Sequence, residues 1–309
     1  MSDQLSVIIE RIVEARRTEI QSSPASRRSA SELPGVIGRI RRVYHDDWEQ
    51  QSLPFAQALL RCVSGGIPVP TLSVCGHGTA ETRYTQYLAH FLDPSRLHGL
   101  GSGYLDSVLS LLRRNDPSIL ADIDIDTALA QTTAECDIGR IPGDDGEPVG
   151  CAVDVVVECP GHIIFIENKI KSGESPHRNS RDRQLTRYDR AIDGNPTYEN
   201  LTKTRVYLTQ DGKDGLGLHE WTGLSHSDLA EAGLDLLRSG TLAHIARENL
   251  TRFVIDVLLG PYEKAEDEVR SLEQLANAAI RTDFSARVRF DRAVSRNQML
   301  VDLLMEGSQ

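Results

Sequence analysis

Asp154, Glu167 and Lys169 lie close together in the chain, with only Asn168 between the last two. Two carboxylates beside an amine can grip a hard divalent cation through oxygen, leaving the ammonium free to act on a substrate. That chemistry requires the acids to meet in space, and the surrounding stretch GCAVDVVVECPGHIIFIENKIK, residues 150–171, predicts that they do. The apolar, β-branched runs Ala152 to Val157 and Ile163 to Ile166 flank Cys159-Pro160-Gly161-His162, and a Pro-Gly dipeptide favours a tight turn. With Pro160 and Gly161 at the tip of a hairpin, Cys159 meets His162. The same register carried along both strands sets Asp154 opposite Glu167.

Side chains alternate along a strand, so Glu167 and Lys169 share a face with Asp154, Val156, Ile163 and Phe165, while Asn168 points the other way. Both faces are otherwise mostly apolar, as in a sheet covered on both sides in an α/β protein. Two carboxylates about 5 Å apart repel by about 3 kcal/mol at an effective dielectric near 20, and like charges are normally not opposed in sheets. Something positive must compensate them: Lys169, or a bound divalent cation.

An acid in one hydrophobic strand and Glu167-Asn168-Lys169 closing the next resembles the Asp…(Asp/Glu)-X-Lys signature of the PD-(D/E)XK nuclease superfamily. The resemblance implies a restriction-endonuclease-like α/β fold, with an αβββαβ core, a central mixed sheet, and flanking N- and C-terminal helices. It also implies Mg²⁺, with Mn²⁺ as a substitute, held by Asp154, Glu167 and the backbone carbonyl of Asn168, and a metal-dependent endonuclease acting on nucleic acid, DNA before RNA. Lys169 would then position or deprotonate a water or steady the phosphate charge. Two adjacent carboxylates oppose the lowered pKa that a base needs, which favours the electrostatic role.

Two flanking segments extend the resemblance. Ala80 to Leu92 reads as a helix stopped by Asp93-Pro94, because the residue before proline disfavours continuation. Glu81 lies in its first turn, ahead of Tyr84 and Leu88 at helical spacing, so it is either an inward carboxylate or an acid favoured by the helix dipole. With LDPSRLHGLG after it, the segment is similar to the opening helix of one bacterial branch of the superfamily, whose glutamate completes the acidic cluster; His98 there positions substrate or shapes the turn. On the helix expected from about Arg181 to Ile192, Gln184, Arg187 and Tyr188 share one face. They match a Gln…Tyr pair that many superfamily members turn towards the active site. Lys171, Arg178, Arg181 and Arg187 make this the most basic part of the chain, placed where a nucleic-acid backbone would pass, though a solvated charged helix would look the same.

The 309 residues, 39% hydrophobic and 26% charged, suffice for one large or two modest soluble domains. The boundaries read are 1–78, an N-terminal helical segment with a Ser/Pro/Arg-rich linker over 21–34; 79–260, the nuclease core; and 261–309, a C-terminal helical segment. Within these, helices are expected near 4–20, 36–51, 242–259, 262–280 and 284–305, with strands near 130–141 and 203–209, and a further helix starting after Trp221 with Ser227 as its N-cap. No apolar run is long enough for a membrane span and no signal peptide is evident, which gives a cytoplasmic expectation. Five cysteines, an odd number without CxxC spacing, indicate neither a disulfide framework nor a zinc site and suggest buried free thiols. A net charge of −11 argues against non-specific coating of nucleic acid through a broad basic surface, and favours weak intrinsic DNA affinity or dependence on a partner protein; the resemblance implies a homodimer as the other arrangement. The resemblance implies restriction or antiphage defence as the setting. The rival expectation is a catalytically silent protein of this fold, serving as a nucleic-acid-binding or scaffold subunit.

Overall fold

The computed structural model describes residues 26–64, 66, 71–77, 80–117, 125–144, 146–170, 183–212, 220–259, 265–281 and 284–307. Helices α1 (Ser26–Asp47) and α2 (Leu53–Ser64), joined by a π-helical turn, come first. A short α3 (Thr71–Val74), α4 (Glu81–Leu92) and α5 (Gly103–Asn115) lead into strands β1 (Gln131–Pro142), β2 (Pro148–Cys159) and β3 (His162–Asn168). Then follow α6 (Gln184–Gly194), β4 (Thr202–Thr209), β5 (Trp221–Ser225), α7 (His226–Arg238) and α8 (His244–Leu259). The last helices are α9 (Ala265–Arg281), α10 (Phe284–Arg296) and α11 (Gln298–Gly307). The chain forms two compact units, 1–66 with 268–301 and 67–267 with 302–309, so the two helical ends, separate in the sequence reading, contribute to a single unit.

In the larger unit the hairpin register is the one expected. Cys159 pairs with His162, Val156 with Phe165 and Val155 with Ile166, and Gly161 supplies the positive φ of 73° that the tip requires. β1 pairs antiparallel with β2, whereas β4 and β5 add parallel to β3, giving a five-stranded mixed sheet in the order β1-β2-β3-β4-β5. Every residue of β3 is buried, because helices cover both faces. Val157, Ile164, Ile166, Val206 and Leu208 point at α4, α5 and α7. Val156, Ile163, Phe165 and Tyr207 meet Leu185, Tyr188 and Ile192 of α6. This alternation is the period-two pattern of a sheet buried on both sides, and the order of elements is that of a restriction-endonuclease-like fold.

Four local expectations are corrected. Trp221–Ser225 is a fifth strand rather than a helix start; its partner β4 supplies the hydrogen bonds that so short a segment does not announce. The following helix is capped by Ser225, not Ser227: Ser225 accepts from the Asp228 N–H, and the Asp228 carboxylate accepts from the Ser225 N–H in a capping box. The segment 26–34, read as linker, is helical, since weak propensity yields to context. The helix expected over 284–305 breaks at Asn297, whose side chain donates to the Ala293 carbonyl and competes with the helical ladder. The expected helix near 4–20 lies outside the described residues.

The smaller unit is helical. Trp48 and Phe290 stack edge-on at its centre, with ring centroids 5.9 Å apart, and Arg287 lies 5.3 Å over the Trp48 ring. Tyr44 reaches across to donate to Asp291.

Candidate active site

β3 ends where β2 carries Asp154, and the two strands bring the expected acids together. Asp154 Oδ2 accepts the backbone N–H of Asn168 at 2.7 Å. Lys169 continues the pairing of β3 with β4, its N–H donating to the Leu208 carbonyl at 2.8 Å, so the backbone under the Glu167-Asn168-Lys169 triplet is held from both sides. The Lys169 ammonium lies 2.7 Å from Glu167 Oε1. α6 starts across the sheet face such that Gln184 Nε2 donates both to Glu167 Oε1 and to Tyr188 Oη, each at 2.7 Å. From the opposite layer, Glu81 in the first turn of α4 accepts the Ile170 N–H at 3.1 Å, which makes it the inward carboxylate of the two readings. Asp154, Glu167, Asn168, Lys169, Gln184, Tyr188 and Glu81 therefore converge at one strand end.

Glu167 is only 1% exposed, and its second oxygen, Oε2, is buried without a hydrogen-bond partner. Burial, then the charge of Asp154, pushes the Glu167 carboxyl up to about 8, and the neighbouring Lys169 only partly offsets this. Burial also lifts Asp154 to about 6, with Glu135 and Glu81 adding repulsion against the pull of the Asn168 N–H and Lys169. For Lys169 the loss of solvent lowers the pKa, but Glu167, Asp154 and Glu81 together raise it more, so the amine stays an ammonium. Burial and the nearby Glu167 likewise keep the Tyr188 phenol protonated.

An unpartnered carboxylate oxygen among acids that resist ionisation is a site short of positive charge. Glu167 Oε2 and Asp154 offer the hard oxygen donors that a divalent cation takes, so the residues present fit such an ion. Among the described residues no three His, Cys, Asp or Glu side chains form a ready cage.

The remaining expected residues fall elsewhere. His98 is 1% exposed; its Nε2 lies 2.8 Å from the Asp93 carbonyl and its Nδ1 accepts the Leu100 N–H. Of the two roles weighed for it, this geometry is that of the turn-shaper, with no ring nitrogen directed at a ligand. Arg187 is buried in α6, its carbonyl accepting from the Cys151 thiol at 3.8 Å, rather than displayed to solvent. Lys171, Arg178 and Arg181 lie outside the described residues.

Two further residues bear on the site. Glu135 stands opposite Asp154, at a gap in the β1–β2 pairing between Ala134↔Val155 and Cys136↔Val153, and holds a φ of 52°. Nothing in the sequence signals the left-handed backbone of Glu135. His226, at the start of α7, places Nε2 3.0 Å from Asn168 Oδ1 and so fixes the middle residue of the triplet from the far face. No motif marks that contact, because it joins residues distant in the chain.

Comparison with known proteins adds one finding to this geometry. The family model described as the PD-(D/E)XK nuclease superfamily matches residues 70–256, a span that contains all the side chains converging on the β3 end. Neither the curated proteins nor the solved structures gave a match.

Proposed function

The chain belongs to the PD-(D/E)XK nuclease superfamily, and on that premise we propose that it hydrolyses phosphodiester bonds of DNA in a divalent-cation-dependent endonuclease reaction. The observation that carries the reading is the Glu167 carboxyl, with one oxygen on Lys169 and Gln184 and the other buried without a partner. Asp154, Glu167 and the Asn168 carbonyl would hold the ion, Mg²⁺ or Mn²⁺, with Glu81 adding charge from α4. Bound there, the cation supplies Lewis acidity for a nucleophilic water and charge for the phosphate.

The chain's own groups do the rest. Lys169, kept protonated by its acidic neighbours, sets a positive charge beside the phosphate as negative charge builds on it, a role that needs no proton transfer. Gln184 orients Glu167 and is itself fixed by Tyr188, so the carboxyl is aimed before substrate arrives. His226 and the Leu208 carbonyl hold the strand end on which both catalytic side chains sit. Asn168 links the two acids, since its own N–H holds Asp154.

The test is incubation of the protein with supercoiled plasmid, linear duplex and single-stranded DNA, with Mg²⁺ or Mn²⁺ against EDTA, beside Glu167→Ala and Lys169→Ala. Cleavage by the wild type with the ion, absent from both variants, is expected. Equal behaviour of all three proteins would discard catalysis and leave a silent nuclease-fold subunit. A role in restriction or antiphage defence is supported by the family alone; phage plating on cells expressing wild type or Lys169→Ala tests it.

A further inference from the structure

Glu135 lies outside the Asp…Glu-X-Lys signature, on β1, yet its charge bears on Asp154 more than that of Glu81 does. The strand of Asp154, β2, runs between β1 and β3, so Asp154 has Glu135 on one side and Glu167 on the other. Sheets normally avoid opposed like charges. The Glu135 carboxylate is exposed and, among the described residues, makes no hydrogen bond or ion pair that would offset this.

The sheet itself does not require the backbone that Glu135 adopts. Ala134 pairs with Val155 and Cys136 with Val153, so one residue of each strand lies between, and the turn at φ 52° absorbs no extra residue as a β-bulge would. The register shifts only between Asp137 and Gly139, where Gly139 supplies a φ of 120°. A left-handed position suits glycine best and asparagine or aspartate next. A glutamate is disfavoured there by its own Cβ, which leaves the carboxylate as the part of the residue that the position uses.

The pointer to a ligand comes from β3. Glu167 is 1% exposed and its Oε2 is buried without a partner. Lys169, Gln184 and the Asn168 N–H meet Glu167 and Asp154 from within the protein, whereas Glu135 comes from the edge strand and is open to water. Among the described residues no three His, Cys, Asp or Glu side chains stand close enough to enclose one ion, so a third carboxylate acts at longer range. Mg²⁺ suits that arrangement, because it dehydrates reluctantly and keeps several waters when bound.

We propose that Glu135 completes the cation site from β1, accepting hydrogen bonds from waters that the ion keeps, an inference that rests on the divalent-cation reading above. Outer partners of this kind orient what the ion holds, and losing one weakens metal binding by about 10–100-fold.

The experiment compares full-length wild type with Glu135→Gln, Glu135→Asp and Glu135→Gly, and with Glu158→Gln as a control for net charge. Glu158 is exposed on β2 near the hairpin tip, where it pairs with Ile163. Free Mn²⁺ is counted by electron paramagnetic resonance at one salt concentration, without nucleic acid. Glu135→Gln should bind Mn²⁺ at least tenfold more weakly, and Glu135→Gly should lose as much although it frees the backbone. Glu135→Asp keeps the charge and accepts a left-handed backbone more readily, so it should retain most of the affinity, and Glu158→Gln should bind like wild type. Wild-type affinity in Glu135→Gln or Glu135→Gly overturns the role of Glu135 and leaves the cation reading standing. An equal loss in Glu158→Gln also overturns it, since net charge rather than place would then be at work. A wild type that takes up no Mn²⁺ overturns the cation reading itself, and this proposal with it.

Discussion

Replacing Glu167 by Gln should stabilise the metal-free protein, and increasingly so as pH rises. The Glu167 carboxyl lies at about 8 in the folded chain against an ordinary 4.5. A raised folded pKa means that the folded state holds the proton more tightly than the unfolded one, so the stability from protonated Glu167 is complete below about 4.5 and lost as pH climbs through 8. A shift of some 3.5 pH units corresponds to about 5 kcal/mol at most, or about 1.4 kcal/mol per pH unit within the window. Lys169 does not disturb this slope, because its own raised pKa bears on stability only at far higher pH. Urea unfolding in EDTA, between pH 5.5 and 8 and in a Trp48→Phe background so that buried Trp221 reports on the catalytic unit, measures it. The difference between Glu167→Gln and Glu167 should widen with pH, and Mg²⁺ should close it by stabilising only the chain that keeps the acid. Parallel stability–pH curves for the two proteins, or equal stabilisation of both by Mg²⁺, would refute the claim that a buried, cation-seeking carboxylate sits at this strand end.

Lys169→Met should reduce plasmid nicking by at least about 100-fold, while Lys169→Arg, which keeps the charge, should retain part of the rate in the same assay. His226→Ala leaves Asn168 Oδ1 buried without its partner and should cost about 1–3 kcal/mol in urea unfolding. It should also shrink the gain in melting temperature on adding Mg²⁺, which a merely destabilising change would leave intact. Gly233→Ala puts a Cβ 2.3 Å from Val254 Cγ2, so it should destabilise by about 1–3 kcal/mol, and Val254→Ala in the same chain should recover most of the loss by thermal melting.

The local parts of the site were readable because local chemistry writes them. Pro160-Gly161 between two β-branched runs determines a register, and that register carries Asp154 to Glu167 without reference to the rest of the chain. Asp93-Pro94 stops α4 where expected, and helical spacing alone puts Gln184 and Tyr188 on one face. What escaped depends on partners far away in sequence. β5 is a strand because β4 lies beside it, and His98 is buried because Phe91, itself stacked on Phe253, covers its ring, rather than because of its own loop. His226 reaches Asn168 only once α7 has packed across the sheet.

Buried charge by itself does not mark function, and Arg205 shows why. It is 9% exposed on β4, yet Asp189, Asp193 and Glu220 lie 3.2, 2.5 and 2.8 Å from its guanidinium, so its charge is met by three carboxylates although its Nε makes no hydrogen bond. At the end of β3 the ledger is left open: Glu167 Oε2, Asn168 Nδ2 and His226 Nδ1 are all buried without hydrogen-bond partners, and Glu135 holds a left-handed backbone opposite Asp154. A folded chain tolerates each such departure at about 1–3 kcal/mol. Several of them gathered within one strand end, around acids that resist ionisation, are what the proposed cation site would leave in the metal-free chain. The contrast predicts opposite responses. Arg205→Met should destabilise the protein equally with and without Mg²⁺, whereas Asp154→Asn should relieve repulsion in EDTA and forfeit the stabilisation that Mg²⁺ gives the wild type, both read as melting temperatures. Were Asp154→Asn to lose stability in EDTA and still gain with Mg²⁺ as wild type does, the acids at β3 would be structural in the same sense as Arg205.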